Sequence, residues 1–202
     1  MCGCGTYILY KNEVLFSQTV PFEIGNELVS DLEKYNIEWL LEGEKTLYYR
    51  NKPYTTHIGD FKDEQKHLYP SAYKELEPSK ASDLVFDKFC IGIHKNSDFK
   101  SFEAKYSKIF TIIDRGNNFY EIVPANCSKA TGMEFLMKHF NVDKKDTIAI
   151  GDSTNDLTML EFAGTSIAMK HSSPIVLEKA DYVTDDVFDD GIYNAMKHFE
   201  LI

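Results

Sequence analysis

Short runs of β-forming residues alternate with turn signals at the start of the chain. Residues 6–10 and 13–17 are two such runs around Lys11 and Asn12, the pattern of a hairpin. Pro21 then opens a helical stretch. Leu28, Leu32 and Tyr35 recur there at spacings of four and three, on one face. Residues 37–41 and 46–49 predict strands joined by a polar turn. Residues 51–80 carry Pro53, Pro70 and Pro78 among many charges and read as loops around one short helix. The pattern then predicts a strand over 88–94, a helix over 98–106, and a strand pair, 108–113 and 119–123, around Arg115, Gly116 and Asn117. Together these elements make one α+β module.

From Ser128 the rhythm changes. Ala130, Met133, Leu136, Met137 and Phe140 fall on one helical face. Residues 147–150 form a short apolar strand that runs straight into Gly151 and Asp152. A helix over 155–163, a strand over 166–169, a helix over 173–179, a strand over 182–184 and a closing helix over 191–199 follow. Ser173 stands at the N-cap of its helix and Pro174 at the first helical position. Ile192, Ala195, Met196 and Phe199 share a face of the last helix. Strand alternating with helix predicts a parallel sheet in an α/β layer, with the loops after the strands gathered along one edge.

Composition narrows the function classes. The chain has 202 residues, 43% of them hydrophobic, with 14 Phe and 12 Tyr, enough to bury a sizeable core. Its formal net charge of −10 argues against a nucleic-acid partner, whose footprint would be a basic face. No run of about 18 apolar residues marks a membrane span. The N-terminus has neither the basic start nor the long apolar core of a secretory signal. Four cysteines, Cys2, Cys4, Cys90 and Cys127, are too few for a disulfide scaffold, and free thiols in a cytoplasmic protein are the expectation. Cys2 and Cys4 form a C-x-C pair, but the two further ligands a zinc site needs are missing.

The chemistry gathers in the segment T-I-A-I-G-D-S-T-N-D-L-T-M-L. A buried strand delivers Gly151 and Asp152 to the rim where open α/β sheets bind ligands. Asp152, Asn155 and Asp156 then fall within one turn at a helix start. Three such oxygen-bearing side chains either suit a hard cation such as Mg²⁺ or cap the helix, and spacing alone leaves both readings standing. Lys129 opens the helix one step upstream, in S-K-A-T-G-M-E-F-L. It either reaches the same rim to neutralise an anion or is a solvated surface lysine.

Taken together, S-K-A-T-G-M-E-F-L-M, I-A-I-G-D-S-T-N-D-L-T-M-L-E-F-A-G-T-S-I-A-M, A-D-Y-V-T-D and D-D-G-I resemble the C-terminal core of haloacid dehalogenase-like hydrolases, and among them the Cof-type phosphatases. The resemblance is specific over residues 128–199 and weaker at C-G-C-G-T-Y-I-L-Y. It implies an α/β fold: part of a Rossmann-like haloacid dehalogenase core with an inserted α+β cap domain. In that arrangement residues 1–20 are a hairpin remnant of the core leading into the cap, 21–124 the cap, and 125–202 the C-terminal part of the core. It also implies an Mg²⁺-dependent phosphatase of small phosphorylated metabolites. Lys129 and Asn155 would contact phosphate, and Asp152 and Asp156 would serve the metal.

The sequence departs from the family at two places. The D-x-D-G-T motif, whose first aspartate is the nucleophile and whose second is the general acid and base, is absent from these residues. The resemblance aligns Cys2–Gly3–Cys4–Gly5 well inside a full-length member, which implies that the motif precedes the present start. Lys170 and His171 stand where relatives often carry a Gly-Asn pair, and His171 is read as a solvent-facing loop histidine before a site group. Three functions compete: a phosphatase by lineage, a non-catalytic fragment or pseudoenzyme that binds ligand, and a protein-interaction module. The family's strand beside 147–150 is also missing, so an open apolar edge there predicts a homodimer, unless the 6–17 hairpin folds over it.

Overall fold

The computed structural model describes residues 3–77 and 84–202. Cys2 of the C-x-C pair and the end of the Pro-containing stretch, including Pro78, lie outside the described residues. The chain forms two compact units, Met1–Cys127 and Ser128–Ile202. The hairpin read from the sequence as a lead-in to the core groups with the first of them.

The first unit opens with β1 (Tyr7–Tyr10) and β2 (Glu13–Ser17), an antiparallel pair forming a two-stranded sheet of its own. Lys11 and Asn12 both take positive φ in the connection, as a tight hairpin turn requires. Helix α1 (Phe22–Lys34) follows. A six-stranded sheet carries the rest, in the order β5-β4-β3-β6-β8-β7. Its strands are β3 (Glu38–Glu42), β4 (Leu47–Arg50), β5 (Tyr73–Leu76), β6 (Lys88–Gly92), β7 (Phe110–Asp114) and β8 (Phe119–Pro124). Helix α2 (Ile58–Leu68) lies between β4 and β5 in the chain, and α3 (Phe99–Tyr106) between β6 and β7.

Alternation along β3 sorts the sheet into two faces. Trp39 and Leu41 join Phe89, Ile91 and Ile122 in a core sealed by Leu28 and Leu32 of α1 and Phe102 of α3. Leu40 faces the other way, with Tyr49, Cys90 and Ile58 of α2. Each fully buried leucine of α1 contributes about 1.5–3 kcal/mol, so the four-residue spacing of Leu28 and Leu32 is what holds that helix to the sheet.

Strand β5 forms where the sequence pattern predicts loop. It pairs parallel with β4 at the edge of the sheet, and its polar sequence, Tyr-Lys-Glu-Leu, reflects that only half of it is covered. Its anchor is Tyr73, whose ring stacks 5.2 Å from that of Tyr49.

The second unit begins with α4 (Lys129–Phe140). Ser128 accepts from the Thr131 amide and the Thr131 hydroxyl accepts from the Ser128 amide, a reciprocal cap. Then come β9 (Ile148–Gly151), α5 (Leu157–Phe162), β10 (Thr165–Ala168), α6 (Pro174–Lys179), β11 (Tyr182–Val183) and α7 (Gly191–His198). The three strands are parallel, in the order β11-β10-β9, as the alternation of strand and helix predicts. Two local details differ from expectation. Residues 154–156 form a tighter 3₁₀ turn before α5 begins. Ser173 holds the N-cap position of α6, but its hydroxyl makes no capping bond and is buried without a partner.

Candidate active site

Parallel pairing fixes where the functional loops emerge. Gly151, Ala168 and Val183 are register partners at the carboxyl ends of β9, β10 and β11. The residues that follow them, Asp152, His171 and Asp186, therefore leave the sheet on one rim. With Lys129, Gly151 and Asp156 they line a cleft of about 540 Å³.

Asp156 organises the floor. It is 4% exposed. Its Oδ1 receives the Lys129 ammonium, and its Oδ2 accepts from the amides of Asp152 at 3.0 Å and Ser153 at 3.3 Å. Burial pushes the Asp156 carboxyl up, but Lys129 and the two amides outweigh it and hold the group below the ordinary aspartate value. Gly151 makes this arrangement possible. A Cβ there would lie 2.5 Å from Asp156 Cβ, so only glycine lets the strand end pass over the buried carboxylate.

Asp152 differs from Asp156 in every respect that matters for a ligand. Its side chain is exposed in the cleft, and among the described residues no hydrogen bond or ion pair engages its carboxylate. A hard cation bound mainly through water needs one or two such carboxylates, and Asp152 fits that requirement. Asp156, with both oxygens engaged, fits the supporting part: it fixes Lys129 and the Asp152 amide. Among the described residues no group of three or more His, Cys, Asp or Glu side chains is arranged as a metal cluster.

Of the four residues singled out from the sequence, Lys129, Asp152 and Asp156 meet in this cleft. Asn155 does not line it. Asn155 sits in the turn, where its amide oxygen accepts from the Ser153 hydroxyl at 2.9 Å. His171 is solvent-facing, as expected, yet it also lines the cleft, 3.2 Å from Asp186 through Nε2. Asp186 is not among the residues that the sequence singles out, yet it lines the cleft. The available signal was topological: both residues follow neighbouring parallel strands within three positions. In the first unit, Cys4 is buried and donates to Glu121 Oε1 at 3.0 Å, so it is a packed thiol.

The sequence model of the haloacid dehalogenase-like hydrolases matches residues 1–196. The chain belongs to that family. It is 26% identical over 203 residues to the putative phosphatase YkrA of Bacillus subtilis (strain 168), which covers 98% of this chain and 74% of YkrA. Over 99 residues, 49% of this chain and 40% of the relative, it is 30% identical to the 5-amino-6-(5-phospho-D-ribitylamino)uracil phosphatase YcsE of the same organism. In fold it matches the haloacid dehalogenase subclass IIB sugar phosphatase BT4131, with a TM-score of 0.79 at 23% identity over 98% of this chain and 74% of that one. TM0651 from Thermotoga maritima gives 0.75 at 22%, over 96% and 73%. The fold is thus that of the haloacid dehalogenase-like hydrolases, and the chain spans about three quarters of the length of YkrA, BT4131 and TM0651.

Proposed function

We propose that the cleft of the second unit is the metal and phosphate site of a Cof-type, Mg²⁺-dependent phosphatase of small phosphorylated metabolites, and that residues 1–202 alone bind at this site without turnover. The observation that carries the reading is the pairing pattern. Lys129 is locked onto Asp156 while the neighbouring Asp152 carboxylate is left open in the same cleft. Asp152 would hold Mg²⁺, with Asp156 in support. A bound Mg²⁺ supplies positive charge to the oxygens of a phosphoryl group. Lys129 adds a cation at a position Asp156 fixes, and Asn155 orients the turn that presents Asp152 and the neighbouring amides to the anion. Phosphatase-named relatives support the substrate class.

The expectation of no turnover follows from chemistry within these 202 residues. They contain no D-x-D-G-T motif, and charge stabilisation without a nucleophile provides no covalent path. The test pairs aryl phosphate hydrolysis with calorimetric binding of inorganic phosphate in Mg²⁺. We expect binding that Lys129→Ala and Asp152→Asn each abolish, with no hydrolysis. Hydrolysis that survives purification and vanishes in Asp152→Ala would overturn the inactive part. Phosphate binding indifferent to both substitutions would overturn the site. A cytoplasmic location accords with three buried free thiols, Cys4, Cys90 and Cys127; among the described residues, no helix is long and apolar enough to cross a membrane.

A further inference from the structure

A groove of about 690 Å³ belongs wholly to the first unit and has no part in the site so far. It lies at the end of the six-stranded sheet where β6 finishes and β8 begins. The loop after β4 and the first turn of α2 form one wall. The β7–β8 turn, with Asn117 and Asn118, forms the other. Buried charge holds the first wall in one shape. Glu38 accepts from the amides and hydroxyls of Thr55 and Thr56 and pairs with Arg50 at 3.0 Å. Arg50, itself buried, also donates to the Pro53 carbonyl at 3.0 Å. Gly92 lets the loop lie against the sheet, since a Cβ there would stand 2.1 Å from Thr56 Oγ1. Taking an ion pair out of water is costly, and a wall fixed in this way needs no ordering when a ligand arrives.

The polar groups along the groove decide what it takes. Both of its lysines are already paired, Lys52 with Glu33 at 2.5 Å and Lys62 with Glu75 at 3.3 Å, and neither acid lines it. Two aspartates, Asp60 and Asp63, do. An anion entering here would meet neutralised lysines and two carboxylates. A metal ion would find no group of three ligating His, Cys, Asp or Glu side chains among the described residues. Among those residues, no hydrogen bond or ion pair engages the side chains of Asp63, Asn117 or Asn118. Carboxamides donate and accept, and a carboxylate accepts; a hydroxyl group does both, so a ligand rich in hydroxyls matches this set. We propose that the groove is a second ligand site of the chain and binds a neutral polyhydroxylated molecule, a sugar or an open-chain polyol, through Asp63, Asn117 and Asn118. This goes beyond the metal and phosphate reading of the second unit and does not depend on it.

Backbone and side-chain amide spectra of the full chain, titrated separately with D-glucose, D-sorbitol and inorganic phosphate, test the proposal. At up to about 50 mM, where a ligand of millimolar Kd fills its site, glucose or sorbitol is expected to give saturating shifts. They should fall on the Asn117 and Asn118 carboxamides and the Gly59 and Asp63 amides, while the Asp152 and Ser153 amides stay still. Asn117 and Asn118 take φ of 53° and 58°, which glycine adopts freely, so Asn117→Gly and Asn118→Gly remove the carboxamides and keep the turn. One hydrogen bond corresponds to about a fivefold change in affinity, so each of these variants, and Asp63→Ala, is expected to weaken binding about fivefold. The proposal is overturned if neither glucose nor sorbitol shifts the groove, or if phosphate shifts it more than both, which would make it an anion site. It is overturned equally if the sugar shifts centre on Asp152 and Ser153, or if all three variants bind as tightly as wild type.

Discussion

Asp87 shows how one buried acid sets a pH dependence. It is 6% exposed, and burial, with a smaller push from the Glu44 charge, raises its carboxyl to about 6. The unfolded value is near 4, so the folded state holds the proton longer. Its contribution is therefore full below about pH 4 and is lost as pH rises through about 6. Asp87→Asn imitates the protonated acid. We expect it to stabilise the protein by about 2 kcal/mol at pH 7.5 and by almost nothing at pH 4, read as the shift in urea midpoint at the two pH values. Equal shifts at both would contradict this account. Asp156 works in the opposite sense. Its carboxyl is held low, so its pairing with Lys129 stabilises above about pH 4 and is lost as acid titrates it through its lowered folded value.

At the scale of elements, a buried carboxylate ties the polar loop after β4 to the sheet. Glu38 of β3 is 1% exposed. It accepts from the amides and hydroxyls of Thr55 and Thr56 at 2.6–3.0 Å and pairs with Arg50 of β4 at 3.0 Å. Glu38→Ala would strand the Arg50 guanidinium and four donors. We expect a loss of about 3–5 kcal/mol in chemical denaturation; a loss under 1 kcal/mol would mean that water replaces the carboxylate freely. Periodicity made most elements legible. The Leu28 and Leu32 spacing and the Lys11–Asn12 turn are local signals, and the structure follows them. The β5 strand was not legible, because an edge strand half in water needs no alternation and Tyr73 finds its partner across the sheet. The same division holds for the cleft. Gly151, Asp152 and Asp156 lie within six residues and could be read together, with Lys129 added by family resemblance. His171 and Asp186 meet only because β10 and β11 pair in parallel, a tertiary fact with no local signature.

For the whole molecule, the open side of β9 is the consequential feature. Among the described residues β9 pairs only with β10. Ile148 and Ile150 are half-buried, and Phe140 of α4 is 43% exposed. Unpaired strand groups flanked by apolar side chains favour addition of another strand. A second copy of this chain meeting that edge would give a dimer of twice 23.2 kDa, and light scattering at micromolar concentration reads it directly. A 23.2 kDa species that unfolds cooperatively would contradict the dimer. The central claim, that the rim of β9 is a cation site built on Asp152, is tested most directly by Mn²⁺ titration of the ¹⁵N-labelled protein. The account predicts paramagnetic broadening centred on Gly151, Asp152 and Ser153 that disappears in Asp152→Asn, whereas broadening centred elsewhere, or unchanged in that variant, would contradict it.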